Sequence, residues 1–194
     1  MAAGLSLRDV STATEDEEQI AVVDVHYGVS GATAACVILA AWEAERPVLE
    51  VTADIERVLP YESGNFYRRE LPCITTVLDK LPRQPNVVVI DGYVWLGEES
   101  RAGLGAHLHE TMGGKIAVVG VAKSFYPFGK DVAEVWRAQS KRPLYISAAG
   151  MNLSTAADWV RKMHGGSRIP TALRRVDQLC RGAIGGSGGF SGSP

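Results

Sequence analysis

The first third of the chain contains three apolar runs, and the first of them is rich in β-branched residues. The runs cover residues 19–27, 31–44 and 47–56, and the turn-prone stretch EAERP lies between the last two. β-branched side chains fit the pleated surface of a sheet, and short connections join strands that are antiparallel neighbours. The pattern therefore predicts three successive strands that form an antiparallel meander.

After residue 64 the hydrophobic pattern alternates between helical and strand periods. Apolar residues recur at helical spacing over residues 65–81, and we expect this helix to start near Pro72, because proline suits a first helical turn. Ser154 is the candidate N-cap of a later helix. The other predicted elements are strands at 86–96 and 115–124 and helices at 102–113, 153–165 and 171–183. Strands that alternate with helices become parallel members of a sheet.

A three-strand antiparallel meander followed by alternating strands and helices is the pattern of an RNase H-like α/β fold, in which helices flank a mixed central sheet. We expect residues 19–183 to form this single domain. Residues 1–18 are expected to be a flexible, acidic lead-in and residues 184–194 a flexible Gly/Ser-rich tail. A doubly wound nucleotide-binding domain is disfavoured, because no GxGxxG or GxxxxGKS/T loop follows a strand.

Size and composition are those of one soluble domain. The chain has 194 residues, of which 46% are hydrophobic and 22% charged, and no apolar run approaches the length that spans a bilayer. The N-terminus has no basic stretch followed by an apolar core, so it does not resemble a secretory signal. Three cysteines without CxxC spacing favour reduced thiols over disulfides or a zinc site. We expect a cytoplasmic monomer without membrane contact.

Charge is distributed unevenly along the chain. Residues 1–100 contain 7 of the 20 lysines and arginines and 17 of the 22 acidic residues, which leaves 13 basic and 5 acidic residues in the rest. A protein that binds a polyanion uses carboxylates to hold metal and basic side chains to hold phosphate. The candidate phosphate contacts are Lys123, Lys130, Arg137, Lys141 and Arg142.

Acidic residues interrupt or end two of the apolar strands. Asp24 lies inside AVVDVHY, Asp91 follows VVVI, and Glu70 lies in the helical segment. A carboxylate in a buried strand loses its hydration, which is costly unless the group is paired or bound to metal. Mg²⁺ prefers oxygen ligands and keeps several waters, so three carboxylates suffice. The sequence predicts a Mg²⁺ site formed by these three residues, in which Mn²⁺ can substitute.

Five short motifs around these acids resemble, in the same order, motifs of the endonuclease V family. In this chain they are DVHY from Asp24, PYESG from Pro60 with RELP from Arg69, DG from Asp91 with GLGAH from Gly103, GVAKS from Gly120, and RIP from Arg168 with Arg174 and Asp177. The resemblance runs from about residue 19 to residue 181. It implies an RNase H-like fold and an endonuclease that acts on DNA or RNA.

The resemblance also implies a substrate and a set of catalytic residues. The expected reaction is hydrolysis of a phosphodiester bond on the 3′ side of a deaminated base, deoxyinosine or inosine. By resemblance, Asp24, Glu70 and Asp91 bind the catalytic metal. Lys123 matches an active-site lysine that lies near phosphate.

Further residues are expected to contact nucleic acid. Tyr61 matches a tyrosine of the family's wedge loop, and a tyrosine on a loop can stack on a base. Tyr27 and Gly64 belong to matching motifs and are predicted contacts as well, together with Lys123. A pocket for a flipped base is expected at residues 29–31 or at Gly120, where glycine lets another group approach the backbone closely.

The sequence departs from the family pattern at three places. The family has H-P-R after the D-G pair, but residues 93–101 contain no histidine, and a second family histidine is absent from residues 146–151. Glu62 and Ser63 stand where the family usually has Ile and Pro. Two hypotheses follow. The chain is a metal-dependent endonuclease with slower hydrolysis, or it is a nucleic-acid-binding homologue with weak or lost catalysis or an altered substrate preference.

Overall fold

A computed structural model describes residues 18–29, 31–97, 101–126 and 131–184, with side chains up to residue 182. The described strands are β1 (Ile20–Tyr27), β2 (Ala32–Leu39), β3 (Leu49–Ile55), β4 (Val87–Ile90), β5 (Trp95–Leu96), β6 (Arg101–Ala102), β7 (Ala117–Ala122), β8 (Ala133–Val135) and β9 (Leu144–Ala149). The described helices are α1 (Phe66–Leu78), α2 (Leu104–Thr111), α3 (Leu153–Lys162) and α4 (Thr171–Ile184). Apart from residues 18 and 184, the predicted lead-in and tail lie outside the described residues.

Seven strands form one mixed sheet in the order β3-β2-β1-β4-β7-β9-β8, and β5 pairs with β6 in a separate hairpin. β1, β2 and β3 form the antiparallel meander, and β4 and β7 continue from β1 in parallel register. β9 and β8 complete the sheet in antiparallel orientation. The structure confirms the predicted RNase H-like mixed sheet.

Helices cover both faces of this sheet. Alternation along β1 directs Ile20 and Val22 to the face covered by α3 and α4, and Ala21 and Val23 to the face covered by α1 and α2. All four side chains are at most 1% exposed, which is why β1 is a nearly continuous apolar run. Asp24 is the first polar side chain in this run, so the fold places a carboxylate directly beside the core.

Helix α1 starts earlier than the sequence predicts. It begins at Phe66, and Pro72 lies inside it rather than in its first turn. An interior proline lacks the N–H of one helical hydrogen bond, at a cost of about 3 kcal/mol. Burial of Cys73, Ile74 and Val77, each at most 2% exposed, against the sheet offsets this cost. The extra N-terminal turn is what positions Glu70 on the helix.

Three other predictions of local structure need correction. Asn152, not Ser154, caps α3, because the Asn152 side-chain oxygen accepts the backbone N–H of Ser154 at 2.8 Å. The strand predicted over residues 86–96 ends at Ile90, since the backbone turns at Gly92, where φ is +151°. β8 and β9 were not predicted, because β8 has three residues and β9 ends in small residues that give a weak strand pattern.

None of the helices in the described ranges is long and apolar enough to cross a membrane.

The predicted phosphate contact at Arg137 is wrong. The Arg137 side chain is only 5% exposed, and its guanidinium donates hydrogen bonds to backbone carbonyls at and beyond the C-terminal end of α3. The acceptors are the carbonyls of Val160, Arg161, Met163, His164 and Gly165. The last carbonyls of a helix lack i+4 donors within that helix, and a cation at a helix C-terminus is favourable. Arg137 therefore stabilises the fold and is not available to phosphate.

Replacing Arg137 with methionine is expected to lower the free energy of unfolding by about 3 kcal/mol, because Met retains the apolar stem but leaves buried carbonyls without their donor. Urea unfolding of the Arg137→Met variant measures this loss. Arg142→Met is the matched control, since Arg142 is exposed. A loss below about 1 kcal/mol, the value of one ordinary hydrogen bond, would contradict the assigned role.

Candidate active site

Strand register brings Asp24 and Asp91 next to each other. Val23 of β1 pairs with Ile90 of β4 in parallel orientation, and each aspartate is the next residue along the chain. Because side chains alternate between faces, Asp24 points to the face that α4 covers. Two carboxylates thus meet where the meander joins the parallel part of the sheet.

Lys123 lies one strand further along the sheet. Ile90 pairs with Gly120 of β7, and Lys123 directly follows the end of that strand. The Lys123 ammonium forms an ion pair with Asp91. Burial by itself lowers the pKa of Lys123, but the hydrogen bond and the negative charge of Asp91 raise it overall. The Arg168 guanidinium donates to the backbone carbonyl of Lys123, and to that of Pro143 at 2.7 Å. The lysine is therefore held in its charged form at a fixed position.

Glu70 reaches the same region from α1. Its side chain is 7% exposed, and its Oε2 is buried without a hydrogen-bond partner among the described residues. Burial, followed by repulsion from Asp24 and Asp91, raises the pKa of Glu70 to about 8. A buried carboxylate with an unsatisfied oxygen is costly unless a cation or proton compensates it.

A fourth carboxylate, Asp177 on α4, adjoins Asp24. One oxygen of each carboxylate and the Cys180 sulfur all lie within 4.8 Å of one another. Burial, followed by the charges of Asp91 and Asp177, raises the pKa of Asp24 to about 6, although the Val25 N–H lowers it. Asp177 also pairs with Arg181 at 2.8 Å.

The four carboxylates form a negative cluster in which neighbouring charges raise the pKa of Asp24 and of Glu70, but they do not have the spacing of one tight triad. Among the described residues, Asp24, Asp177 and Cys180 form the acidic group with ligand atoms within 4.8 Å, and the predicted set of Asp24, Glu70 and Asp91 does not. Asp177 was not among the predicted site residues, although it belongs to the last of the matching motifs. Only the packing of α4 against β1 reveals its position.

An open cleft of about 460 Å³ leads away from Glu70 and Asp91. It passes between the loop before α1, the turn after β4 and the start of α2. The remaining lining residues are Ser63, Gly64, Phe66, Tyr67, Gly92, Tyr93, Leu96, Arg101, Ala102, Gly103, Leu104 and Tyr126. Clefts of this volume and mixed aromatic and polar lining are typical of small-ligand sites.

The predicted nucleic-acid contacts occupy different places around this cleft. Tyr61 is 64% exposed, and its ring lies 6.2 Å from that of Phe66 on the rim. Gly64 lines the cleft with φ of +81°, a conformation that favours glycine. Tyr27 lies beneath the surface, because the Arg69 guanidinium covers its ring at 3.8 Å and its hydroxyl is buried.

The expected glycine pocket does not form at Gly31 or at Gly120. A Cβ atom on Gly120 would lie 2.5 Å from the Gly92 carbonyl oxygen, and one on Gly31 would lie 2.3 Å from the Ile55 carbonyl oxygen. Both glycines therefore permit close packing of backbone against backbone and leave no room for a ligand. The cleft is bordered instead by Gly64, Gly92 and Gly103.

Three histidines make contacts outside the acidic cluster. His107 stacks on Tyr67 with ring centroids 3.7 Å apart. A ring nitrogen of His109 lies 2.7 Å from the Ile116 carbonyl oxygen, and one of His164 lies 3.1 Å from the Thr171 hydroxyl. Among the described residues, none of the three belongs to the group of candidate ligand atoms formed by Asp24, Asp177 and Cys180.

Comparison with known proteins matches the sequence and the fold of this chain to one family. The family model described as Endonuclease V matches residues 4–131, more than half of the chain. The endonuclease V of Streptomyces avermitilis is 30% identical over an alignment length of 195 residues. The alignment covers 90% of this chain and 79% of that protein.

Solved structures of the family share the same fold. The crystal structure of the Streptomyces avermitilis endonuclease V superimposes with a TM-score of 0.73 at 28% identity, covering 88% of this chain and 86% of that one. Endonuclease V of Ciona intestinalis, in complex with a 23mer DNA containing an inosine followed by a ribo-adenosine, gives a TM-score of 0.72 at 20% identity, with coverages of 89% and 88%. The chain therefore belongs to the endonuclease V family of nucleases.

Proposed function

We propose that this endonuclease V hydrolyses the phosphodiester bond on the 3′ side of deoxyinosine or inosine, and that it requires Mg²⁺, which Mn²⁺ can replace. The observation that carries the proposal is the convergence of Asp24, Asp91 and Asp177 with the buried Glu70, whose Oε2 has no hydrogen-bond partner among the described residues. Lys123 supplies a positive charge at the edge of the same cluster.

The donor set fits a hard divalent cation. Asp24, Glu70 and Asp91 are the proposed ligands, and Asp177 adds a fourth carboxylate beside Asp24. Oxygen donors suit Mg²⁺ and Mn²⁺, and the unpartnered Glu70 oxygen is an atom that a cation would satisfy. A bound divalent cation polarises a phosphoryl oxygen and lowers the pKa of an attacking water.

The protein's own groups supply charge stabilisation and positioning. The Lys123 ammonium is fixed by Asp91 and, through its backbone, by Arg168, so its charge is in place before substrate binds. A preorganised cation stabilises negative charge that develops on phosphate without reorganisation. The acidic cluster alone would repel a phosphate, and this lysine reduces that repulsion.

The cleft is the proposed site of the deaminated base. Its walls offer aromatic faces from Tyr67 and Tyr93, and exposed backbone at Gly64 and Gly92, next to the acids. Enzymes that read a flipped base stack it between apolar side chains and hydrogen-bond its edge. The Ciona intestinalis relative, which was crystallised with inosine-containing DNA, supports inosine as the base. Tyr61 on the rim is proposed to contact the strand beside the lesion, while Tyr27 supports Arg69 from below.

A cleavage assay tests the proposal directly. An end-labelled strand with one inosine, and a matched strand with guanine at that position, are incubated with Mg²⁺, with Mn²⁺ and with EDTA. We expect the inosine strand alone to be cut, at a single position on its 3′ side, and only with metal. Equal cutting of both strands would contradict the base specificity, and cutting in EDTA would contradict the metal requirement.

The alternative is a nucleic-acid-binding homologue with weak or lost catalysis, and the two missing histidines favour it. The same assay separates the two functions. Binding of the inosine strand without any cleavage in Mg²⁺ or Mn²⁺ would establish the alternative.

The missing histidine leads to a further prediction about rate. We expect cleavage to be faster with Mn²⁺ than with Mg²⁺, because Mg²⁺ demands near-ideal octahedral geometry. The Leu96→His variant is expected to raise the Mg²⁺-dependent rate by roughly 10- to 100-fold, since a positioned proton acceptor typically contributes about 10²–10⁴-fold. Leu96 lines the cleft with Asp91, whereas a histidine at Gly97 would be strained, because φ there is +73°.

Leu96→Asn is the matched control for this variant, because it is polar but does not titrate near neutral pH. Single-turnover rates are measured for both variants and for the unmodified protein. Equal rates for Leu96→His and Leu96→Asn, or rapid cleavage by the unmodified protein with Mg²⁺, would show that the lost histidine does not limit hydrolysis.

A further inference from the structure

Exposed aromatic side chains are concentrated at one end of the sheet. In the described ranges, five aromatic side chains are among the exposed large hydrophobic ones: Tyr61, Phe66, Phe125, Tyr126 and Trp136. Each lies at the end of the sheet that contains Asp24 and Asp91. Tyr61 and Phe66 border the cleft on one side. Phe125 and Tyr126 follow Lys123, and Trp136 follows Val135, whose partner Leu144 starts β9 at the same end.

Phe125 and Tyr126 are exposed yet held in place. Phe125 is 65% exposed, and its ring packs against Tyr145 with centroids 5.5 Å apart. The backbone N–H of Tyr126 donates to the Tyr93 hydroxyl at 3.1 Å, and that hydroxyl donates to the Ser124 carbonyl at 2.8 Å. The loop after β7 is thereby tied to the turn after Asp91.

The acidic cluster lies between two aromatic surfaces. Tyr61 and Phe66 contact each other on one rim, and Phe66 and Tyr126 both line the cleft that contains Glu70 and Asp91. The Lys123 ammonium pairs with Asp91, and Phe125 follows Lys123 by two residues along the chain. A cation flanked by exposed rings matches a nucleic-acid strand, in which phosphates alternate with bases that each have a π-face. A protein partner would match the rings but not the adjacent acidic cluster and lysine.

We propose that Phe125 and Tyr126 form a stacking platform for an unpaired base of the substrate strand, across the scissile phosphate from Tyr61. This platform rests on the proposed function and specifies its substrate class. Bases inside a duplex are covered on both faces by their neighbours, so a protein ring stacks only on a base that is unpaired or separated from a neighbour. The substrate is therefore a strand whose bases are unstacked on both sides of the cut.

Binding measurements on single strands test the platform. Fluorescence anisotropy with a labelled single strand containing one inosine is recorded in Ca²⁺, with a gel to verify that the strand stays intact. Phe125→Ala is expected to weaken binding by roughly tenfold, the typical loss for one base-stacking ring. Val48→Ala is the matched control, because Val48 is also 65% exposed but lies before β3, at the opposite end of the sheet.

Two further variants separate stacking from packing. Phe125→Leu keeps an apolar contact with Tyr145 but loses the π-face, and we expect it to bind as weakly as Phe125→Ala. Phe125→Trp keeps the π-face and is expected to bind like the unmodified protein. If Phe125→Ala does not fold, the Leu and Trp variants decide the question. Binding within twofold of the unmodified protein for Phe125→Leu would overturn the platform.

A scan of abasic nucleotides identifies the base that stacks. An abasic residue is introduced at each position on the 3′ side of the inosine in turn. We expect one position at which base removal weakens binding to the unmodified protein roughly tenfold but causes no further loss with Phe125→Ala, because both changes remove the same contact. Additive losses at every position would overturn the platform. So would unchanged strand binding by Phe125→Ala together with a changed oligomeric state, which would assign the rings to a protein contact.

Failure of the platform and failure of the proposed function give different results. If the unmodified protein cuts inosine strands and Phe125→Ala binds them equally well, only the platform is overturned. If the unmodified protein cuts nothing, the proposed function fails, and the binding comparison still decides whether the platform exists.

Discussion

Replacing Asp24 with asparagine is expected to slow cleavage of an inosine strand by roughly 10³-fold or more, because loss of the charge of a proposed metal ligand removes several kcal/mol of transition-state stabilisation. Asp24 is the central carboxylate of the cluster. The negative charges of Asp91 and Asp177 both raise its pKa, and the Cys180 sulfur lies 3.9 Å from its Oδ2. Asparagine retains the size and the oxygen that accepts the Val25 N–H at 2.9 Å. The substitution therefore removes charge with little change in packing.

The rate is measured under single-turnover conditions with saturating Mn²⁺, so that weaker substrate binding does not contribute. Asp158→Asn is the matched control, because Asp158 is an exposed aspartate on α3 that pairs with Arg161. Its cleavage rate is expected to stay within about twofold of the unmodified protein, as for most surface substitutions. Comparable rates for Asp24→Asn and Asp158→Asn would exclude Asp24 from the catalytic site.

Replacing Glu70 with glutamine is expected to abolish metal-dependent cleavage and at the same time to stabilise the metal-free protein. The pKa of Glu70 is raised from 4.5 to about 8 by burial and by the neighbouring acids. Between these values the unfolded chain has released its proton and the folded chain has not, so the stability that Glu70 contributes is complete below about pH 4.5 and is lost as the pH rises through about 8. Glutamine stays neutral and avoids this loss.

The gain is on the order of 4 kcal/mol at pH 8, at about 1.4 kcal/mol for each pH unit between the two pKa values. Thermal unfolding in EDTA measures it, and the difference in Tm between Glu70→Gln and the unmodified protein should grow from pH 5 to pH 8. Glu110→Gln is the matched control, because Glu110 is an exposed glutamate on α2.

Metal addition provides the second half of this experiment. Mg²⁺ or Mn²⁺ should raise the Tm of the unmodified protein, because a ligand that binds only the folded state stabilises it. It should raise the Tm of Glu70→Gln much less. A variant that is less stable than the unmodified protein in EDTA at pH 8 would contradict the raised pKa of Glu70. A variant that gains as much stability from metal as the unmodified protein would contradict the assignment of Glu70 as a ligand.

Local sequence was sufficient to predict five of the seven strands of the central sheet, β1 to β4 and β7. β1 and β7 are apolar because both of their faces are buried, and this requirement is visible in any window of a few residues. The meander follows from three strands with connections too short to cross the sheet. Asp24 and Asp91 could also be identified as candidate site residues from the local sequence. A carboxylate inside or at the end of an apolar strand departs from the hydrophobic pattern around it.

Only the tertiary structure decided which other side chains join these acids. Asp177 lies on an amphipathic helix, where a polar residue is ordinary, and it reaches the site because α4 packs against β1. Arg137 follows β8, where it is indistinguishable in sequence from a surface arginine, but the end of α3 encloses it. In both cases the deciding contact joins segments far apart in the chain, and residue type and spacing carry no information about such a contact.

The cleft and its aromatic rims were decided in the same way. Gly120 has the sequence context of a ligand pocket, yet the neighbouring turn at Gly92 fills the space above it. Phe125 and Tyr126 are aromatic residues of a type often buried in a core. They are exposed here because β7 ends before them and because the Tyr126 N–H donates to the Tyr93 hydroxyl, which holds their loop at the surface. Hydrophobicity and spacing along the chain thus determined the five central strands and the first acids of this protein. Long-range packing determined the fourth carboxylate, the cleft and the exposed rings, because burial of a side chain depends on which distant segment covers it.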